Sequence, residues 1–191
     1  MKETLSLAAA ALLAGCSGAN AGQADLQTQA CAPVEASGGE VAGASLAGEY
    51  ALRLIATSGA KRGATADGRL ELMAQDSAYR ALQLPDGTTD TTYSFPLYGT
   101  AAVDFAAVGA TTPGDPASTD PLGPGVLAIE RPAGLMLRVG SEANRRGVRR
   151  FDGGYTVLQV QQVTDQGFAG TWRSGVGLEE SRGHFCAVEM T

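Results

Sequence analysis

Few residues in this chain could do chemistry, and their spacing says how little of it they share. There are three cysteines, Cys16, Cys31 and Cys186, and a single histidine, His184. No two cysteines are close enough for a CxxC redox pair, and one histidine cannot complete a zinc ligand set, so the sequence predicts no metal. No GxSxG elbow accompanies His184, no carboxylate stands at a telling spacing from it, and no glycine-rich loop is placed to cradle a phosphate. Asp115 and Asp120 lack the dense oxygen pattern of a calcium loop. Catalysis is therefore not expected, nor is a cofactor. Four arginines, Arg145, Arg146, Arg149 and Arg150, fall within six residues. Guanidinium forks of this kind can grip phosphate or carboxylate, so they form a candidate anion site. Glu142 and Asp152 beside them offer the plainer alternative of a solvated, self-neutralised loop.

The first cysteine has a more specific context. Residues 5–14, LSLAAAALLA, make a short apolar run after Lys2, too short to span a bilayer but long enough for the core of an export signal. The run ends in Leu13-Ala14-Gly15-Cys16, which resembles the lipobox of bacterial lipoproteins. That resemblance implies cleavage before Cys16, removal of residues 1–15 as a signal peptide, and acylation of Cys16 with palmitate-type chains as a membrane anchor. Several chains, each worth about 0.8 kcal/mol per buried CH2, make such an anchor stable. Ser17, where the family often carries Asp for inner-membrane retention, implies an outer-membrane place in the cell envelope. Once Cys16 is used for lipid, Cys31 and Cys186 remain as an even pair in an oxidising compartment, and a disulfide between them is expected.

Charge and composition narrow the partners. Fourteen cations against twenty anions leave a net charge of -6, which gives no general attraction to nucleic acid or anionic lipid. The partners left are a membrane through the lipid, a small apolar ligand, or another envelope protein.

The elements that must position all this read as strands. Residues 16–45, rich in Ala, Gly, Ser and Gln, have no periodicity and read as a tether behind the lipid. From residue 46 to 191 the period is two. Tyr50, Leu52 and Leu54 alternate with Glu49 and Arg53; Leu70 and Leu72 with Arg69 and Glu71; Leu82 and Leu84 with Ala81 and Gln83; Val103 and Phe105 with Asp104; Leu127 and Ile129 with Ala128 and Glu130. Further strands are expected at 135–139, 155–163, 168–174 and 183–190, with one more over 91–98. Asp67-Gly68, Asp86-Gly87, Pro132-Ala133-Gly134, Gly153-Gly154 and Asp165-Gln166-Gly167 read as hairpin turns. Residues 109–124, rich in Pro, read as one long loop.

The expected fold is all-β: an antiparallel up-and-down β-barrel of about eight to ten strands, because closure removes exposed sheet edges. A two-sheet β-sandwich is the alternative. Size, strand count and Gly48-Glu49-Tyr50 at the first strand resemble lipocalin-like barrels, although Tyr50 stands where that family has Trp and the sole Trp172 lies late in the chain. Tyr50, Leu52, Leu54, Leu70, Leu72, Phe105, Leu137, Phe168 and Trp172 are expected to face the barrel axis. They would form either a ligand-binding lining, for which Tyr50, Leu52, Leu54, Phe105, Leu137, Phe168 and Trp172 are the candidates, or a packed core. By alternation His184 shares a face with Cys186, Val188 and Met190 and is expected to point inward. The function classes left open are a lipid-anchored binder of a small apolar or amphipathic ligand and an envelope structural or interaction module.

Overall fold

A computed structural model describes residues 31–33, 42–75, 81–83, 86–87, 89–111, 124–140, 154–176 and 179–190. Cys16, Leu84, Asp115, Asp120 and the arginine cluster lie outside the described residues, as do Gly153 and most of the Pro-rich loop.

The alternation seen in the sequence becomes ten strand segments: β1 (Gly48–Ser58), β2 (Thr65–Ala74), β3 (Ala81–Gln83), β4 (Thr89–Ser94), β5 (Leu97–Val103), β6 (Gly125–Arg131), β7 (Gly134–Val139), β8 (Gly154–Thr164), β9 (Gly167–Val176) and β10 (Glu179–Glu189). Eight of them, in the order β6-β5-β2-β1-β10-β9-β8-β7, pair antiparallel, and β7 returns to β6 to close the ring. The fold is a closed up-and-down barrel and not the two-sheet sandwich. First and last strands meet along β1 and β10, from Tyr50 opposite Glu189 to Ser58 opposite Arg182. The short β3–β4 hairpin extends one rim, with Ser94 of β4 opposite Glu130 of β6.

Side chains of alternate residues converge on the axis. Leu52, Leu54, Leu70, Leu72, Ala101, Val126, Ala128, Leu135, Leu137, Leu158, Phe168, Trp172, Phe185 and Ala187 all belong to one core. The outer wall carries ion pairs instead: Arg53 grips Asp67 (Nε to Oδ1 2.6 Å, Nη2 to Oδ2 3.1 Å), Arg69 lies 3.4 Å from Glu49, and Arg182 binds Glu180 at 3.0 Å. An apolar inside and a charged outside is the reverse of a transmembrane barrel, whose lumen is polar.

Among the described residues, a 3₁₀ turn covers each end of the barrel. At the end where β1 begins, Gly43–Leu46 tucks Leu46 into the core, the Tyr50 hydroxyl donates to the Leu46 carbonyl at 3.2 Å, and the Gly43 N–H donates to Glu130 at 3.2 Å. At the other end, Phe105–Val108 inserts Phe105 and Val108. Its continuation is held by a buried polar knot: the Thr111 N–H donates to Ser174 Oγ at 2.7 Å, the Ser174 hydroxyl donates to the Tyr155 carbonyl at 2.9 Å, and Thr156 Oγ1 donates to the Thr111 carbonyl. Thr156 and Ser174 are fully buried, so this bonding is what makes them tolerable there.

Several expectations are corrected. Val103-Asp104-Phe105 is not a continuing strand: β5 ends at Val103, Asp104 accepts from the Ala107 N–H at 3.3 Å, and Phe105 enters the core from the turn. Asp67-Gly68 is not a turn but lies inside β2; a side chain at residue 68 would overlap the Ala102 carbonyl, so Gly68 serves a close approach of strands. The strand expected over 91–98 is divided by Phe95 and Pro96 between β4 and β5. On β6 the faces are inverted. Val126 and Ala128 point inward, whereas Leu127 and Ile129 lie on the outer wall, where Ile129 packs with Met136 and Val157 in a second apolar cluster.

Candidate functional site

The interior assembles the expected lining. Tyr50, Leu52 and Leu54 come from β1, Leu70 and Leu72 from β2, Leu137 from β7, Phe168 and Trp172 from β9, and Phe105 from the turn after β5. Phe185 joins them, although its neighbour His184 was the residue expected to point inward. The rings interlock: Tyr50 meets Phe168 edge-on at 4.9 Å, and Phe168 meets Phe185 edge-on at 6.0 Å. Trp172 crosses β10 above Gly183, whose missing side chain leaves room for the indole, and its Nε1–H donates to the Ile55 carbonyl at 3.2 Å. Burial, with a contribution from the Glu189 carboxylate, pushes the Tyr50 hydroxyl above its ordinary pKa.

A ligand-sized void would leave its walls reachable by water. The seven candidate lining residues are between 0% and 4% exposed. They pack on one another as a core, with a 3₁₀ turn at each end.

Alternation puts the strand-neighbours of the core residues on the outer wall. Arg173 is exposed and stands over the Tyr155 ring at 5.9 Å, but Arg53, Glu71 and Arg138 are half-buried. Long side chains lying along a barrel wall bury their stems. Hydrogen bonding to Asp67 raises the Arg53 pKa, helped by the carboxylate's charge and opposed by partial burial.

The second place of interest is the outer wall of β10. Cys31 and Cys186 form the expected disulfide, with Cα atoms 5.6 Å apart. It lies on the outside because Phe185 and Ala187 take the inward positions, so His184 and Cys186 face out, contrary to expectation. His184 is nevertheless buried: the segment of residues 31–33 crosses over the wall there, and His184 Nε2–H donates to the Cys31 carbonyl at 3.0 Å. A carbonyl can only accept, so the proton sits on Nε2. A recess of about 200 Å³ opens beside this strap, lined by Cys31, Ala32, Gln162, Thr164, Ala169 and Val188. It is smaller than the 300–1,000 Å³ or so of a typical small-molecule site. Among the described residues, no three His, Cys, Asp or Glu side chains converge as a metal site.

What the residue pattern missed was the role of small residues. Val126, Ala128 and Ala101 belong to the interior core alongside the leucines.

No protein-family model matches this chain, and no curated protein matches it in sequence. Among solved structures the chain is similar to that of EF1p2_mFAP2b bound to DFHBI, at 8% identity over 76% of this chain and 94% of that one, with a TM-score of 0.36. A likeness so slight says nothing of what this chain binds.

Proposed function

We propose that the protein is an envelope lipoprotein, acylated at Cys16 and held at the outer membrane, whose barrel works through its outer surface as a structural or interaction module. One observation carries the second half of this reading: the interior is filled by its own side chains, Leu54, Leu137 and Phe185 being wholly buried, and a 3₁₀ turn covers each end. The first half rests on Leu13-Ala14-Gly15-Cys16 and is supported by the Cys31–Cys186 disulfide, a bond that belongs to oxidising compartments.

The second reading is a binder of one small apolar ligand. Its support is that the interior lining is mostly apolar and that the described cover at each end is a turn of four residues. Trp172, the sole tryptophan, is part of that interior and reports on a ligand seated against it. Titration of the purified protein with an apolar dye, with fatty acid as competitor, separates the two. The surface reading expects no saturable, displaceable binding and an unchanged Trp172 emission. Stoichiometric binding that quenches Trp172 and is reversed by fatty acid would establish the ligand reading instead. Membrane fractionation of Cys16→Ser tests the anchor: wild type should pellet with membranes and the variant should not.

A further inference from the structure

The outer wall is not the same all round. On β10, β1 and β2 arginines are matched by carboxylates: Arg182 with Glu180, Arg53 with Asp67, Arg69 with Glu49. On β6, β7, β8 and β9 the outward positions among the described residues hold no Asp or Glu. Glu130 is taken up at the rim by the Gly43 N–H and the Ser94 hydroxyl. Asp165 stands in the turn after β8, and six residues of β9, about 20 Å of strand, lie between that turn and Arg173. Register carries one row straight across these four strands: Leu127 faces Arg138, Arg138 faces Val157, and Val157 faces Arg173. Arg173 is exposed over the Tyr155 ring, and among the described residues its N–H groups have no hydrogen-bond partner. Four strands about 4.8 Å apart cover about 14 Å of wall, narrow enough for one flat surface to touch.

We propose that the outer wall of β6–β9 rests on an anionic phospholipid surface, the bilayer in which Cys16 is anchored. The inference deepens the reading that the barrel works through its outer surface, and it rests on acylation at Cys16. Guanidinium groups fork onto phosphate, which gives Arg138 and Arg173 their role, and the Tyr155 ring suits headgroup depth. An acidic protein is the weaker occupant. The apolar residues that would anchor one, Ile129, Met136 and Val157, are only 8%, 9% and 8% exposed under their own neighbours Phe95, Leu127 and Tyr155. Little is left there for a partner to desolvate, and buried anchors are what hold protein interfaces. A headgroup layer needs cations and a thin apolar skin, which this wall presents. The net charge of -6 does not oppose it. Eight strands make a ring about 15 Å across, and at about 0.15 M salt a charge is screened beyond about 8 Å. Carboxylates on β1 and β2 are thus not felt by lipid beneath β7 and β8. Each arginine is worth about fivefold in partition at an anionic surface. That is too little to hold a free chain, but an anchored barrel meets the lipid at high local concentration.

The test reconstitutes the acylated chain into vesicles of phosphatidylcholine, alone or mixed with phosphatidylglycerol, and labels arginines with phenylglyoxal. Mass spectrometry reads the rate at Arg173 and at Arg69 on β2. On the mixed vesicles Arg173 should be labelled severalfold more slowly than on phosphatidylcholine alone, and raising the salt should restore its rate. Arg69 should react equally on both. Arg138→Ser should speed Arg173 labelling on the mixed vesicles by up to about fivefold, whereas Arg69→Ser, the same charge lost elsewhere, should leave it unchanged. Should Arg138→Ser lose the near-UV signal of Trp172, the salt titration of wild type decides instead. A chain that stays on both vesicles with Arg173 equally reactive overturns the inference and leaves the anchor intact, as does equal slowing at Arg69. Protection of Arg173 by soluble polyglutamate but not by phosphatidylglycerol would make the occupant an acidic protein and overturn it too. Wild type that washes off both vesicles as readily as Cys16→Ser overturns the anchor and the inference with it.

Discussion

Gly183→Ala is the sharpest perturbation of this barrel. Residue 183 sits on β10, opposite Ala56 of β1 on one side and Trp172 of β9 on the other, on the seam where the first and last strands close the ring. A methyl group there would overlap the Ile55 carbonyl oxygen and fall 2.5 Å from Trp172 Nε1 and 2.7 Å from Cε2. Neither neighbour can yield cheaply, since one is backbone of the closing strand and the other a fully packed indole. Moving the indole breaks its hydrogen bond to the Ile55 carbonyl and leaves a buried N–H unpaired, a cost of about 1 to 3 kcal/mol. The overpacking itself costs about 1 to 3 kcal/mol. The sum, about 2 to 6 kcal/mol, is a large share of the 5–15 kcal/mol that a domain commonly has. Urea melts followed by Trp172 fluorescence measure it, and native emission should shift as the indole leaves its slot. Thr171→Ala, next in sequence but on the exposed face, should stay within about 0.5 kcal/mol. Trp172→Phe should suppress part of the Gly183→Ala loss, because the smaller ring does not press on residue 183. If Gly183→Ala melts with wild type and its emission is unchanged, the indole does not cross β10 where described and the argument fails.

Two further outcomes follow from the same core. Leu72→Ala, at 2% exposure in a filled interior, should lose about 2 to 5 kcal/mol in chemical denaturation, whereas Glu71→Ala on the opposite face should lose no more than about 0.5; equal losses would contradict the one-face-inward barrel. Tyr50 ionises at higher pH folded than unfolded, so its contribution to stability is whole below about pH 10 and is lost as the pH rises toward the folded value. Alkaline melts of wild type should fall more steeply than those of Tyr50→Phe, which at neutral pH should be weaker by about 1 kcal/mol for the lost bond to the Leu46 carbonyl. Parallel alkaline slopes would refute this.

How much of this was legible depended on whether a strand carried a polar marker. In β1, Arg53 separates Leu52 from Leu54, so the inward face could be read directly and proved right. In β6 the run Val126-Leu127-Ala128-Ile129 is apolar on both parities. The larger pair was assigned to the core, but the axis is already crowded by rings and accepted the smaller pair. The outer wall there is itself apolar, so Leu127 and Ile129 found cover against Phe95, Met136 and Val157. Glu130 shares the inward parity yet lies at the rim, where the Gly43 N–H and the Ser94 hydroxyl, at 2.8 Å, satisfy it. Alternation gives the set of residues that share a face but not the direction of that face.

The same ambiguity decided the candidate site. His184 and Cys186 do share a face, as their spacing required, and only the neighbours Phe185 and Ala187 show that the face is external. Had Cys186 pointed inward, the disulfide would have drawn the chain before β1 into the barrel mouth and made it a plug. Pointing outward, it fastens Cys31 to the wall, while Leu46 enters the core at one end and Phe105 and Val108 at the other. One parity step at the end of β10 thus separates a bond that would reach into the interior from one that fastens residue 31 to the outer wall.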